Sequence, residues 1–323
     1  MRVFVTGGAG FIGSQYVRAM LAGEYPGFED AEVTVYDLLT YAGNKANLPI
    51  GHERLHFVRG DIRDADALSE TLPGHDVVVH FAAESHVDRS VAGAVPFVST
   101  NVLGTQRLLD HCVRYGIPKV LCVSTDEVYG TIDEGSWTED EPLLPNSPYA
   151  AAKAGSDLVA RAAWRTHGLD VRITRCCNNY GPYQNPEKLI PLFVTNLLRG
   201  RPVPLYGDGR NVREWIHVAD HAAAVQLVLT DGEPGEIYNI GTGVESDNLS
   251  IAHKLIELCG ADPALLTYVT DRKGHDLRYS VDHTKITKLG YTPAIEFAEG
   301  LAATVDWYRD NQAWWQAVLN RPS

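Results

Sequence analysis

Residues 2–13 read RVFVTGGAGFIG, and the order of features in this stretch decides the fold. Positions 2–6 have the apolar, β-branched character of a short buried strand, and positions 14–21 have the apolar spacing of a helix. Between them lie Gly7, Gly8, Gly10 and Gly13. Glycines between a strand and a helix keep side chains away, so that backbone N–H groups and the helix N-terminus face an anion such as a pyrophosphate. The GxxGxxG spacing is one residue looser than the plain dinucleotide fingerprint, but the strand before and helix after are those of a nucleotide-binding βαβ unit. A glycine-rich turn without a ligand is the plainer reading, and the position of the run, directly after the first strand, counts against it.

The same alternation continues outward. A strand over 32–36 ends at Asp37, where a carboxylate accepts both ribose hydroxyls and repels a 2′-phosphate, so NAD is expected rather than NADP. Strands over 55–58 and 76–81, with helices over 64–72 and 98–114, specify an α/β fold with a doubly wound, Rossmann-like parallel sheet. Asp61 and Ile62 follow the third strand and suit an adenine; Ala82 and Ala83, after Phe81, are small enough to let a cofactor pass. Ser85 and His86 come next, with Thr100 and Asn101 near the start of the long helix.

Val120, Leu121, Cys122 and Val123 make a fifth strand, which delivers Ser124, Thr125, Asp126, Glu127, Val128, Tyr129 and Gly130 to the carboxyl edge where open sheets bind ligands. Tyr149 and Lys153 share one face of an Ala-rich helix over 149–164. Such a Tyr–Lys pair is common by chance, and an Asp–Glu step after a strand is usually a solvated turn. Their joint occurrence after a nucleotide-binding unit marks a site. Beyond a strand over 171–174 the pattern loosens: helical over 188–198, a strand over 203–206, a turn over 207–213, a strand over 237–239 and a helix over 249–258. Residues 1–180 read as the NAD-binding domain and 181–323 mainly as a smaller substrate-binding lobe, interleaved with the first. Trp307, Tyr308, Trp314 and Trp315 in the tail either form an interface or pack on that lobe.

The 323 residues carry 45% hydrophobic and 21% charged side chains, ordinary for a soluble protein. A formal net charge of -13 argues against nucleic acid and anionic membranes as partners, though not against an anionic small ligand in a local pocket. With no apolar run of ~18 residues and no charged leader, a cytoplasmic location is expected. Five cysteines without a CxxC pair favour neither disulfides nor zinc. His217 and His221 have helical ligand spacing but no third ligand, so no metal is expected.

TGGAGFIG at 6–13, TYAGN at 40–44, STDEVYG at 124–130, Tyr149 with Lys153, NNYGPY at 178–183, EKLIP at 187–191 and DRKGHD at 271–276 together resemble the extended short-chain dehydrogenase/reductases. Within them the chain is similar to the dTDP-glucose 4,6-dehydratases. The glycine run and the Tyr–Lys pair mark only the superfamily; TYAGN and the Asp126–Glu127 step are narrower. Lys273 stands where that family usually has proline, which leaves the loop less pre-formed.

The resemblance implies bound NAD, held by Gly7, Gly10, Phe11, Ile12 and Gly13, by Asp37, Asp61 and Ile62, by Phe81, Ala82, Ala83 and Thr100, and by Ser124, Tyr149, Lys153 and Asn179. It implies dTDP-glucose as substrate, contacted by Ser85, Thr125, Asn178, Lys188 and Leu189, by Pro204, Leu205 and Tyr206, and by Arg213, Asn248, Arg272 and His275. It implies a homodimer paired through the helices at 98–114 and 149–164. In the implied reaction Tyr149 is the base for the C4 hydroxyl, oriented by Thr125. A phenol titrates at about 10, so Tyr149 has to be lowered by about 3 units, roughly 4 kcal/mol, with Lys153 and the positive nicotinamide favouring phenolate. Glu127 is the base at C5 and Asp126 the acid at the C6 hydroxyl, its pKa raised by its neighbour. A sugar-nucleotide 4-epimerase or UDP-glucuronate decarboxylase on the same fold is the nearest alternative, but an epimerase needs neither carboxyl group. A non-catalytic NAD-sensing protein does not need Tyr149 with Lys153, and an inactive scaffold is the plainest alternative.

Overall fold

Runs such as Val3, Phe4, Val5 and Val77, Val78, Val79 are apolar at every position, so neither face of these strands can meet water. The computed structural model, which describes residues 1–321, buries both faces under helices. Among the described residues the strands run β1 (Arg2–Thr6), β2 (Glu32–Asp37), β3 (Leu55–Arg59), β4 (Val77–His80), β5 (Lys119–Thr125), β6 (Val171–Cys176), β7 (Asn178–Tyr180), β8 (Val203–Tyr206), β9 (Val212–His217), β10 (Ile237–Ile240), β11 (Glu245–Asp247) and β12 (Leu266–Val269). The main sheet has the order β10-β6-β5-β4-β1-β2-β3, with every pair parallel. Strand order reverses between β1 and β4, and a crevice opens there at the carboxyl ends.

The helix Phe11–Leu21 packs on one face beside Val218–Asp231, where the Tyr16 hydroxyl donates to Gln226 Oε1 at 2.6 Å. Helices Ala65–Thr71, Thr105–Arg114 and Pro148–His167 cover the other face. A separate core gathers Tyr180, Phe193, Trp215, Leu301, Tyr308 and Trp315 under the smaller sheets, β11-β9-β7 and β12-β8. The aromatic tail therefore belongs to its own lobe: Trp315 is 1% exposed, and Trp307 and Trp314 pack on Tyr183.

The glycine run shows why only glycine serves there. Gly7 sits at φ 68°, and a Cβ on Gly13 would lie 2.4 Å from the Gly7 carbonyl oxygen and 2.9 Å from Gly8 Cα. Both obstacles are backbone, so Gly13→Ala should push the first helix off β1. The expected cost is about 1–3 kcal/mol, seen as a lower urea midpoint, together with weakened NAD binding by titration.

Two local expectations are corrected and one helix is added. The helix expected over 98–114 begins earlier, with the turn Val95–Phe97, and winds as a wide π-type helix over Val98–Gly104 before continuing as Thr105–Arg114. The Thr105 hydroxyl bonds the Asn101 carbonyl at 2.6 Å and its oxygen meets His80 Nε2 at 2.9 Å, a tertiary tie invisible to periodicity. The turn expected over 207–213 ends sooner, because Val212 and Arg213 already pair with β11 in strand β9. The buried helix Val218–Asp231 was not expected, since its apolar residues run round most of its circumference and leave a weak one-sided pattern. Among the described residues no helix is long and apolar enough to cross a membrane.

Candidate active site

The carboxyl ends of the central strands converge on one cavity. At β1 it is lined by Gly7, Gly10, Phe11, Ile12 and Gly13. The first helix starts at Gly10 without a side-chain cap, which leaves first-turn N–H groups for a ligand. At β2 the buried Asp37 accepts from Ala9 N at 2.9 Å and Leu39 N at 2.8 Å, one bond per oxygen. Each oxygen keeps capacity for a hydroxyl. Burial raises the Asp37 pKa, and these two N–H groups oppose the rise.

Asp61 and Ile62 line the cavity after β3, with Asp61 held by Arg63 at 2.6 Å. Phe81, Ala82, Ala83 and Thr100 continue the wall, and Ser124, Tyr149, Lys153 and Asn179 lie at β5 and β6. All the residues expected to touch a cofactor thus meet on one surface. An uncapped glycine-bounded helix and a carboxylate with spare acceptors fit a dinucleotide with a free ribose. Asn179 is positioned by the fold: its amide nitrogen donates to Cys177 O at 3.0 Å and its oxygen meets His221 Nδ1 at 2.8 Å, which leaves that oxygen one further acceptor site. Thr40, from the TYAGN stretch, also lines the cavity, as do Arg63 and Gln184, which were missed because no local pattern marks them.

Thr125 ends β5, and Asp126 opens the short 3-10 turn Asp126–Tyr129. Asp126 is 2% exposed; its Oδ1 accepts the Thr125 hydroxyl at 3.1 Å, while its Oδ2 and Glu127 Oε2 are buried without partners. Leaving such an oxygen unpaired costs on the order of 1–3 kcal/mol, which makes both sites receptive to a ligand hydroxyl or C–H group. Burial, then the Glu127 and Glu214 charges, lift the Asp126 carboxyl well above the usual range. Burial also raises Glu127, but Arg272, Lys188 and Arg213 pull it back. Two adjacent carboxyl groups are thereby placed in unequal surroundings, Asp126 among more negative charge and Glu127 among more positive. Glu214 was missed by sequence reading. It is fully buried, and its carboxylate accepts from Thr242 N at 2.6 Å, Gly243 N at 2.7 Å and Val281 N at 3.1 Å.

The Tyr149 phenol is governed by burial in the protein alone. Burial lifts it well above 10, and Glu127, Cys176 and Asp126 raise it further, against a hydrogen bond from Thr125. Lys153 is buried, donates to Val123 O at 2.6 Å, and is itself lowered by burial against the pull of Asp157. The chain alone therefore does not supply the lowering, which sequence reading assigned to Lys153 together with the positive nicotinamide.

Ser85, Asn178 and Lys188 share the cavity with these groups, and Lys188 Nζ donates to Ser85 O at 2.7 Å. Leu189, Pro204, Tyr206, Arg213, Asn248, Arg272 and His275 are not on its lining and belong to the smaller lobe and its loops. The Tyr206 hydroxyl donates to Asp88 at 3.2 Å, Arg272 stands 3.6 Å from the same carboxylate, and His275 pairs with Asp271 at 2.6 Å. Arg272 Nε, Asn178 Oδ1 and Asn248 Oδ1 are buried without partners. Lys188, Arg213 and Arg272 all act on Glu127, so three cations surround one region, as a diphosphate requires. Leu205 is corrected: it is 1% exposed and part of the lobe core.

A doubly wound parallel sheet, a glycine loop at its switch point and a Tyr–Lys pair beside β5 define an extended short-chain dehydrogenase/reductase. The chain belongs to the GDP-mannose 4,6 dehydratase family, whose sequence profile matches residues 4–304. It is 57% identical to a dTDP-glucose 4,6-dehydratase of Streptomyces niveus, over 98% of this chain and 96% of that protein. It is 63% identical to DesIV, the dTDP-glucose 4,6-dehydratase of Streptomyces venezuelae solved with NAD and TYD bound, with TM-score 0.97 over 98% of this chain and all of that one. Its likeness to a UDP-glucose 4-epimerase of Thermus thermophilus in complex with NAD is lower: 35% identity and TM-score 0.88, over 96% of this chain and 100% of the other.

Proposed function

We propose that this protein dehydrates dTDP-glucose to dTDP-4-keto-6-deoxyglucose, a first step toward deoxysugars, with NAD retained through the cycle. The observation that carries this reading is the unequal setting of Asp126 and Glu127: burial raises both, but Glu127 and Glu214 lift Asp126 further against the Arg213 charge alone, while Arg272, Lys188 and Arg213 hold Glu127 down against Asp276. Epimerisation at C4 has no use for such a pair. The relatives' names and their bound ligands support the same substrate and cofactor.

Gly7, Gly10 and Gly13 would hold the pyrophosphate and Asp37 the ribose. When bound, NAD takes the C4 hydride and later returns it to C6. Tyr149 takes the C4 hydroxyl proton, with Thr125 orienting its oxygen and Lys153 anchored behind it on the Val123 carbonyl. The resulting ketone acidifies C5, whose proton passes to Glu127. Asp126, whose proton is held more tightly by burial and by the Glu127 and Glu214 charges, gives that proton to the C6 hydroxyl, which leaves as water. Glu127 then returns a proton to C5. Lys188, Arg213 and Arg272 hold the diphosphate, and Tyr206, Asn248 and His275 frame the nucleotide.

Residues 1–180 act as the NAD-binding domain and 181–323 mainly as the substrate lobe, interleaved with the first through the helix Val218–Asp231 and β10, in a cytoplasmic homodimer. An apolar groove lined by Val95, Val98, Val102, Leu103 and Val159 supports pairing, with Val95 78% and Leu158 58% exposed. Light scattering of wild type against Val98→Glu tests it.

Purified protein incubated with dTDP-glucose and no added cofactor should yield a sugar nucleotide lighter by one water, without net NADH. An unchanged mass with a new C4 epimer, or turnover of UDP-sugars alone, would overturn the reading.

A further inference from the structure

One cluster at the cavity has no part in this chemistry. The loop after β2 carries Tyr41, the helix Val87–Ala92 carries Arg89, and the segment before the helix Leu189–Leu197 carries Asn185 and Glu187. The Arg89 guanidinium lies 4.2 Å from the centre of the Tyr41 ring. It also forks onto both Glu187 oxygens, Nε to Oε2 at 3.1 Å and Nη2 to Oε1 at 2.5 Å. Beside it, Asn185 Nδ2 donates to the Tyr41 carbonyl at 3.3 Å, and Ser85 N donates to the Tyr41 hydroxyl at 3.4 Å. Thr40, Ala42, Gly43 and Asn185 line the cofactor cavity itself. A loop that walls the cavity is thus tied to the segment that leads into the second lobe, and Arg89 grips both sides.

The tie is ill suited to holding the fold. Arg89 and Glu187 side chains are 41% and 36% exposed, and ion pairs so placed add little to folding and are screened by salt. A forked, ring-stacked guanidinium fixes orientation instead. The loop's base is fixed by the cavity: Leu39 is held at φ 60° with its N–H on Asp37, the carboxylate read as the ribose acceptor. A cofactor that is reduced and re-oxidised within one cycle must not escape midway, because its loss strands the sugar as a ketone.

We propose that Arg89, gripping Tyr41 and Glu187, is the latch that keeps the dinucleotide from leaving between the two hydride transfers. It is a positioning residue, touching neither sugar nor reacting atoms, and the proposal rests on the cavity being the NAD site.

The test compares release of NAD from loaded wild-type and Arg89→Gln protein into excess scavenging dehydrogenase, followed by bound-cofactor fluorescence after reduction. Arg89→Gln should release it roughly tenfold faster at an unchanged thermal midpoint of the NAD-saturated protein, consistent with loss of a bidentate charge-assisted contact. Added salt should speed wild-type release and leave the variant's nearly flat. Glu187→Gln should behave alike, with no further effect in the double variant, and it carries the test if Arg89→Gln does not fold. During turnover of dTDP-glucose the variants should spill free NADH. Release at the wild-type rate with the wild-type salt dependence overturns the latch alone. Wild-type protein that holds no NAD overturns the cavity reading and the latch with it.

Discussion

Tyr149→Phe is expected to lower turnover of dTDP-glucose by roughly 10³-fold, about 4 kcal/mol of transition-state stabilisation, within the range for a lost general base. The phenol oxygen is hydrogen-bonded by Thr125, and the variant removes that oxygen while leaving the ring that packs on Phe97. NAD content and thermal midpoint should stay near wild type, which separates lost chemistry from lost structure. In the protein alone, burial and nearby Glu127, Cys176 and Asp126 keep this phenol protonated. The positive charge that releases its proton has to arrive with the cofactor. The rate of the first hydride transfer should therefore rise with pH in the loaded wild type, and that limb should vanish in Tyr149→Phe. A variant retaining more than a tenth of wild-type turnover would remove Tyr149 from the role of base.

Asp126→Asn is expected to separate the two halves of the reaction. Substrate should still reduce the bound cofactor, slowly, as read by near-ultraviolet absorbance, but water loss should fall by about 10²-fold or more, because an amide cannot protonate a leaving hydroxyl. Equal loss of both steps would show that Asp126 is not the acid. The same substitution should stabilise the fold. The Asp126 carboxyl is raised in the folded state above its unfolded value of about 3.9, so the folded protein is at its best below that pH. Stability is lost as pH climbs from there through the raised pKa, by about 1.4 kcal/mol per unit of displacement. Asparagine carries no such penalty, so the urea midpoint of Asp126→Asn should exceed that of wild type at pH 7 and converge on it toward pH 4. A gain in stability beside a loss of chemistry distinguishes an active-site acid from a packing residue.

Much of this protein is legible in its residues alone. Every-position apolar runs such as Val77, Val78, Val79 require a sheet covered on both faces, and the glycines after β1 require a close approach of backbone to backbone and ligand. Strand ends are local, so the groups placed at the ends of β1, β2, β4 and β5 could be named from the sequence, and they line one cavity. The second half reads poorly because its signals are not local. Helix Val218–Asp231 is buried on most sides, and β9 is a strand only because β7 and β11 pair with it.

The sequence by itself determined the doubly wound sheet, the dinucleotide loop and the set of reactive side chains. Only the tertiary structure decided how those side chains differ from one another. Asp126 and Glu127 are neighbours in the chain and chemically near-identical, yet Glu214 stands by the first, while Lys188 and Arg272 bear on the second. Burial and charge act through space over a few ångströms in a poorly screening interior, so the groups that set a proton's affinity are those the fold brings near, however far apart they lie in the chain.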